Sequence, residues 1–250
     1  MPSLNVIGNL NLTGEAYKRN PFIATGGVIN TFTSGGLQYT SHTFISGSGS
    51  FTILNGETTA QVLVVGGGGG GQAGGAQNDR GTGGGAGGVN YTGSFFFKKN
   101  PQAGGPSVWT AVVGEGGLGG LNPSGVPGRS ATSGSISQLF ANYSYEQASF
   151  PLGGYGGTAE QSGGNGASGG GNSPSGGLAI FGTQGNAGGN GTVSGGGGAS
   201  QAGSVRNGGN GTSFTLQDGT SKSYAGGGGG GGYSNTSQPP GTGGTGGGGN

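Results

Sequence analysis

Glycine is the residue that most constrains this chain: 74 of the 250 residues are Gly, most of them after position 65 in runs such as 66–71, 195–198 and 226–232. Glycine loses more backbone entropy on ordering than any other residue, so such runs weaken an ordinary helix or strand. Extended threefold helices of the polyproline II type have no internal hydrogen bonds. Where no Cβ intervenes, neighbouring helices of this type can bond to one another through their backbones. The tracts therefore predict a bundle of polyglycine II helices.

The apolar content leaves a second interpretation open. Leu, Ile, Val and Phe together number 42 of 250 residues, a low fraction that is typical of disordered chains. The formal net charge of +1 is not typical of them. Collagen is excluded, because the glycines keep no strict period of three. An unfolded glycine-rich linker or matrix protein remains the alternative to an ordered bundle.

Charge and cysteine content exclude several classes of partner. The eight basic residues are scattered along the chain, whereas nucleic-acid binding needs a basic patch. There is no Cys for a disulfide or a thiolate metal site. The N-terminus has no signal-peptide pattern, and the apolar runs are too short for a membrane helix. We expect no nucleic-acid partner, no membrane insertion and synthesis in the cytoplasm.

The first 25 residues have the alternating pattern of a half-buried strand. Leu4, Val6, Leu10 and Leu12 alternate with polar residues. So short a strand cannot bury its apolar face alone, and we predict that residues 1–25 anchor the chain to a larger assembly and form a homotrimer. The alternative is a strand that folds back on the same chain.

Residues 26–65 carry the signals of a small antiparallel β module. Strand-forming segments at 28–33, 38–45, 50–54 and 61–65 are separated by Gly, Ser and Asn turns. The last segment runs directly into Gly66 and is expected to set the register of the glycine bundle. We therefore predict an all-β chain with irregular structure and almost no α-helix, with a polyglycine II domain at 66–250.

No arrangement of residues indicates catalysis. His42, the single histidine, stands in a predicted strand without an acidic or Cys partner, and the seven acidic residues are isolated. Matches to Gly-x-Gly-x-x-Gly are expected by chance at this glycine content, and no helix or acidic residue completes a dinucleotide site. We predict no enzyme activity, no cofactor and no metal.

Aromatic and basic side chains stand in the islands between glycine tracts, where rigid loops can present them to a ligand. They could equally cover the flanks of the bundle. The candidate receptor-binding residues are Phe95, Phe96, Phe97, Lys98, Lys99, Trp109, Tyr143, Tyr145, Tyr155 and Tyr233.

Four segments resemble the glycine-rich domain of phage tail-fibre and virion structural proteins. These are 40–53 (TSHTFISGSGSFTI), 60–71 (AQVLVVGGGGGG), 109–120 (WTAVVGEGGLGG) and 224–232 (YAGGGGGGG). The chain is similar in kind to the distal adhesins of T-even-like phages, whose polyglycine II domain presents loops to host receptors. The resemblance implies a tail fibre, fibre tip or head decoration protein. It would contact other virion proteins through its N-terminus and a host surface protein or glycan through its distal domain.

Ice binding is the alternative from a different class of function. Polyglycine II bundles can present flat faces to ice, although the long islands of this chain disfavour a regular plane.

Overall fold

The computed structural model describes residues 3–9, 21–72, 81–99, 105–120, 131–141, 159–160, 162–163, 167–171, 177–179, 184–191, 193–231 and 239–249. Within these ranges the chain forms strands and extended segments and contains no helix, which confirms the all-β prediction. No helix that could cross a membrane is present in this part of the chain. The strands are β1 (Ser3–Asn9), β2 (Ile23–Thr25), β3 (Val28–Ser34), β4 (Leu37–Phe44), β5 (Gly47–Asn55), β6 (Glu57–Val65), β7 (Val89–Lys98), β8 (Ser107–Val113), β9 (Gln138–Ala141), β10 (Ala159–Glu160), β11 (Ser162–Gly163), β12 (Thr212–Phe214) and β13 (Lys222–Tyr224).

Two antiparallel sheets contain most of these strands. The larger sheet has the order β3-β4-β1-β6-β7, and the smaller has the order β2-β5-β8-β9. Strands β10 and β11 form one separate hairpin, and β12 and β13 form another. Strands β3 to β6 coincide with the four segments predicted from sequence. Strands β1 and β7 to β9 extend the two sheets beyond the predicted module.

Strand β1 lies inside the larger sheet. Val6 is opposite His42 of β4 on one side and Val62 of β6 on the other. A strand has two hydrogen-bonding edges, and the chain itself uses both edges of β1. The strand therefore folds back on its own chain, which is the alternative that the sequence left open, and the predicted role of Leu4 and Val6 in anchoring or trimer formation stays a prediction. Leu10 and Leu12 lie outside the described residues.

An apolar core fills the space between the two sheets. Side chains alternate between the two faces of a strand, and Trp109, Ala111 and Val113 of β8 all face inward. Phe97 packs against the ring of Phe51 at 5.3 Å and that of Trp109 at 5.2 Å. The core residues are Phe44, Phe51, Ile53, Ala60, Val62, Val64, Phe97, Trp109, Ala111, Val113, Leu139 and Ala141. We call the two packed sheets the sandwich.

A second apolar cluster covers the other face of the larger sheet. Leu63 and Val65 of β6 alternate with core residues and pack with Leu216 and Tyr224 from the region of the β12–β13 hairpin. Ser41 Oγ on the sheet donates to a carbonyl of the same hairpin over 2.6 Å. Residues 62–65 are therefore buried on both faces of the sheet, which explains their continuous apolar run.

Four strands of the sandwich continue directly into extended tracts, three of them glycine-rich, which we call rods. Strand β6 continues as rod 1 (66–72), and rod 2 (81–88) leads into β7. Strand β8 continues as rod 3 (114–120), and rod 4 (131–137) leads into β9. The sequence predicted that β6 runs directly into the first glycine tract. The same direct connection is found at β7, β8 and β9.

Hydrogen bonds between rods recur every three residues. The N–H groups of Gly66 and Gly69 donate to rod 2, and those of Gly67 and Gly70 donate to rod 4, over 2.9 to 3.0 Å. The carbonyl of Gly68 accepts from rod 3 over 2.8 Å. An interval of three residues, with all of these bonds made to other rods, is the pattern expected of packed threefold extended helices.

Further rods complete the bundle: rod 5 (167–171), rod 6 (184–190), rod 7 (194–199), rod 8 (201–206), rod 9 (207–211), rod 10 (225–231) and rod 11 (241–244). Rod 7 is at its centre. The N–H groups of Gly195, Gly196 and Gly197 donate to rods 8, 10 and 5, and their carbonyls accept from rods 6, 9 and 2. Six neighbours around one rod satisfy its backbone completely at these positions.

The rods approach one another so closely that many of their glycines have no room for a side chain, while small side chains such as Ala86, Ser168 and Ser194 are buried among them. A Cβ on Gly196 would lie 2.0 Å from the carbonyl oxygen of Gly84, and one on Gly197 would lie 2.0 Å from that of Asn186. In rod 3, at the bundle surface, the nearest atom to an added Cβ is 3.7 Å away at Gly116 and 3.6 Å away at Gly119. The described tracts are thus ordered by backbone bonding and do not form an unfolded linker.

Ser137 ties the rods to the sandwich where they meet. Its buried Oγ accepts the N–H of Gly114 over 2.9 Å and donates to the carbonyl of Val65 over 2.8 Å. One small side chain therefore pairs two backbone groups at the points where β8 and β6 become rods.

Ser137→Ala is expected to lower the free energy of unfolding by about 1–3 kcal/mol, because it leaves two buried backbone groups without their partner. Denaturant unfolding of the purified protein measures this change. Ser135→Ala is the control, because Ser135 is exposed in the same rod. Equal midpoints for the two variants would contradict the role of Ser137.

Candidate recognition surface

The rods turn back at the end of the bundle farthest from the sandwich, which we call the tip. Gln72 at the end of rod 1 and Thr82 of rod 2 bond to each other in both directions there, over 3.0 and 3.1 Å. Residues 73–80 join these two rods, and residues 121–130 join rods 3 and 4 in the same way. Both joining segments lie outside the described residues.

Rod 10 also ends at the tip. The N–H of Gly231 donates to the carbonyl of Gly81, and that of Gly228 donates to Gly84, so the two rods are antiparallel and Gly231 lies beside the tip end of rod 2. The chain continues from there into residues 232–238. Tyr233, a candidate from the sequence, therefore follows directly after the tip end of rod 10, although its own position lies outside the described residues.

Val205 and Arg206 occupy the turn from rod 8 to rod 9, and this turn too is at the tip. The N–H of Gly230, near the end of rod 10, donates to the carbonyl of Arg206 over 2.7 Å. Val205 is 59% exposed. Sequence reasoning missed this pair. The available signal was an adjacent apolar and basic residue in a stretch otherwise made of small and polar residues.

The sandwich, and not the tip, carries the cluster of aromatic candidates on β7 and β8. Phe97 and Trp109 are 0% and 3% exposed. Their burial corrects the prediction for these two residues, because a core side chain cannot contact a receptor. Phe95 is half-buried and packs edge-on against Phe97 at 4.6 Å. Phe96 points the other way and is 53% exposed.

Phe96 and Lys98 form an exposed strip on the edge strand of the larger sheet. In the β6–β7 register Phe96 is opposite Thr59, and Lys98 is opposite Glu57. This places an aromatic ring beside a pair of opposite charges on a rigid strand. Lys99 follows the strand, and its backbone N–H donates to the carbonyl of Gly56. The remaining candidates, Tyr143, Tyr145 and Tyr155, lie outside the described residues.

His42 is a packing residue in this structure. Its side chain is buried, its ring stands edge-on to Phe51 at 5.0 Å, and its Nδ1 lies 2.8 Å from the carbonyl oxygen of Gly26. A carbonyl only accepts, so Nδ1 carries a proton and donates. Burial lowers the pKa of His42 below its ordinary value of 6.5, and the bond to Gly26 opposes this in part.

The lowered pKa predicts a loss of stability in mild acid. The unfolded chain binds a proton near pH 6.5, whereas folded His42 resists protonation until a lower pH. The free energy of unfolding is therefore highest above pH 6.5, and it falls as the pH is lowered from there toward the pKa of folded His42. Denaturant unfolding at about pH 7.5 and about pH 5.5 should show this fall. His42→Asn, whose Nδ2 can donate to Gly26 without titrating, should show a smaller fall.

Asp218 closes the turn of the β12–β13 hairpin. Hydrogen bonds from Lys222 and Thr220 lower its pKa to about 2. The ammonium of Lys222 lies 2.6 Å from its carboxylate, and both side chains are well exposed. A surface ion pair of this kind shapes a turn and adds little stability. Within the described ranges, no three His, Asp or Glu residues converge as a metal site.

A family model described as a glycine-rich domain matches residues 41–250. The match begins within β4 and continues through the rest of the sandwich and the whole bundle. No curated protein and no solved structure matches the chain.

Proposed function

The chain belongs to the glycine-rich domain family, and we propose that it is a phage virion structural protein whose bundle holds receptor-binding segments toward the host cell. It would sit in a tail fibre, a fibre tip or a head decoration fibre. Its partners would be other virion proteins at the sandwich end and a host surface protein or glycan at the tip.

The observation that carries this proposal is the direct continuation of four strands into four rods. The sandwich and the tip are opposite ends of one body, so attachment at the sandwich leaves the tip free for a ligand. The rods gain their order from backbone bonds, so the tip is a fixed end of the bundle. The resemblance to the distal adhesins supports the same arrangement.

Competition with virions tests the proposal. Purified protein added to cells of the phage's bacterial host should bind them and reduce subsequent phage adsorption. Tyr233→Ala, in the segment after rod 10, should weaken cell binding by about 30-fold if this ring is a central contact. Phe96→Ala should leave binding unchanged, because Phe96 lies on the sandwich.

The outcomes separate the possible sites. Loss of binding in Phe96→Ala alone would move the recognition surface from the tip to β7. Wild-type protein that neither binds cells nor competes with virions would reject adhesion and leave a structural role in the virion.

Ice binding is the second candidate, and one regular surface favours it. The Oδ1 atoms of Asn207 and Asn210 accept the N–H groups of Thr242 and Thr245, each over 3.1 Å. These four exposed residues repeat every three positions, Asn207 and Asn210 in rod 9, Thr242 in rod 11 and Thr245 directly after it. Thermal hysteresis of the purified protein discriminates between the two functions, since an adhesin should show none.

A further inference from the structure

The outer edges of the two sheets differ in how they are protected against pairing with another chain. Natural edge strands avoid such pairing by being short, charged or bulged. Strand β2 has three residues and β9 has four. Strand β7 ends in Lys98 and has an irregular register with β6. Three of the four outer strands thus show at least one protective device.

Strand β3, the fourth outer strand, shows none of these devices. Its seven residues, VINTFTS, contain no charge and no Pro, and all seven pair with β4 without a shift in register. In the described part of the chain no strand pairs with its other edge. Four of the seven residues are the β-branched Val, Ile and Thr, which favour strand pairing.

Exposed apolar side chains are concentrated where β3 begins. Val28 is 55% exposed and Ile29 is 48% exposed. Ile45, which is 61% exposed, follows directly after β4 at the same end, because Val28 is opposite Thr43. An uncharged edge with an apolar end is the kind of surface that another strand would cover.

We propose that β3 pairs with β3 of a second copy of this chain, antiparallel and around a two-fold axis at Thr31. The two larger sheets then form one continuous ten-stranded sheet with a β7 strand at each outer edge, and the isologous contact uses the β3 edge of both copies. In this register Ile29 is opposite Thr33 of the second copy, a favourable cross-strand pair.

A second copy fits this edge better than a charged partner does. The edge has no charge with which to select an acidic or basic peptide. The chain's net charge of +1 gives two copies little mutual repulsion. Strand β1 cannot supply such an edge contact, because both of its hydrogen-bonding edges are occupied.

Thiol cross-linking tests the geometry directly, because the chain has no cysteine. Side chains opposite each other in an antiparallel pair lie close enough to be bridged, so Thr31→Cys should give a covalent dimer with an oxidant or a short bis-maleimide. Ser94→Cys, exposed on β7 at the opposite edge, should not be cross-linked. A Thr31→Cys protein that gives no covalent dimer while its thiol reacts with a small alkylating agent would overturn the proposal.

Sedimentation of the unmodified protein provides the second test. The wild-type protein should sediment as a dimer at micromolar concentrations. Thr31→Lys should weaken the dimer about tenfold or more, because it places like charges opposite each other. Ser94→Lys adds the same charge at β7 and should remain dimeric. Circular dichroism establishes that each variant is folded. A monomeric wild-type protein, or equal dissociation of both variants, would refute the β3 contact.

Discussion

Gly196→Ala is expected to lower the free energy of unfolding by about 3 kcal/mol or more, the upper part of the range for overpacked cores. The new Cβ would lie 2.0 Å from the carbonyl oxygen of Gly84, and that oxygen itself accepts the N–H of Gly228. A flexible side chain could change its rotamer to avoid this contact, but a backbone carbonyl cannot. Rod 7 would have to move, and six neighbouring rods bond to it.

Gly119→Ala is the matched control, since it adds the same methyl group to another rod. The nearest atom to its Cβ would be 3.6 Å away, an ordinary contact, and Gly119 is exposed. This variant should keep the wild-type stability within about 0.5 kcal/mol. Denaturant midpoints of the three proteins measure the difference. Equal midpoints for Gly196→Ala and Gly119→Ala would mean that the rods are not packed through their backbones.

The glycine content was enough to predict the bundle, but not which glycines it needs. In rod 3 the requirement follows a period of three. A Cβ would collide with backbone at Gly114 and Gly117, while the residues that follow them, Glu115 and Leu118, are exposed. The period is set by which face of a threefold helix meets its neighbours. Those neighbours come from distant parts of the chain, so the sequence of one rod does not reveal them.

In the sandwich, too, the features that depend on neighbouring residues were predictable from the sequence, and those that depend on distant strands were not. Alternation and turn residues predicted β3 to β6 because both signals are local in the sequence. Of these strands only β3 and β4 pair with each other, while β5 and β6 pair with strands from other parts of the chain. The place of β1 between β4 and β6 depends on partners that lie 30 or more residues away. Strands β7 and β8 were interpreted as islands because glycine tracts flank them. Only their pairing with β6 and β5 makes them part of the core.

The candidate site was predictable only as a set of residue types. Aromatic residues between glycine tracts indicated either recognition or packing, and burial separates these roles within one run of three phenylalanines. The β6–β7 register shifts between Ala60 and Val62. Strict alternation from the start of β7 therefore does not predict which of the three phenylalanines point into the core. Val205 was missed at the tip because a single apolar residue in a polar stretch has no periodicity to identify it.

Phe97→Ala should cost about 3–5 kcal/mol, whereas Phe96→Ala should change stability by less than about 0.5 kcal/mol. Phe97 is fully buried against Phe51 and Trp109, so its removal leaves a cavity between the two sheets. Phe96 stands beside it with its ring in solvent. Thermal and denaturant unfolding of the two variants provide the comparison. Because single domains are stable by only about 5–15 kcal/mol, the Phe97 variant should lose a large share of the free energy of unfolding. Equal losses of stability in the two variants would contradict the assignment of Phe97 to the core and of Phe96 to the surface.

A loss of cell binding by Phe97→Ala would reflect its lower stability. Phe96→Ala is therefore the variant that can test recognition on β7.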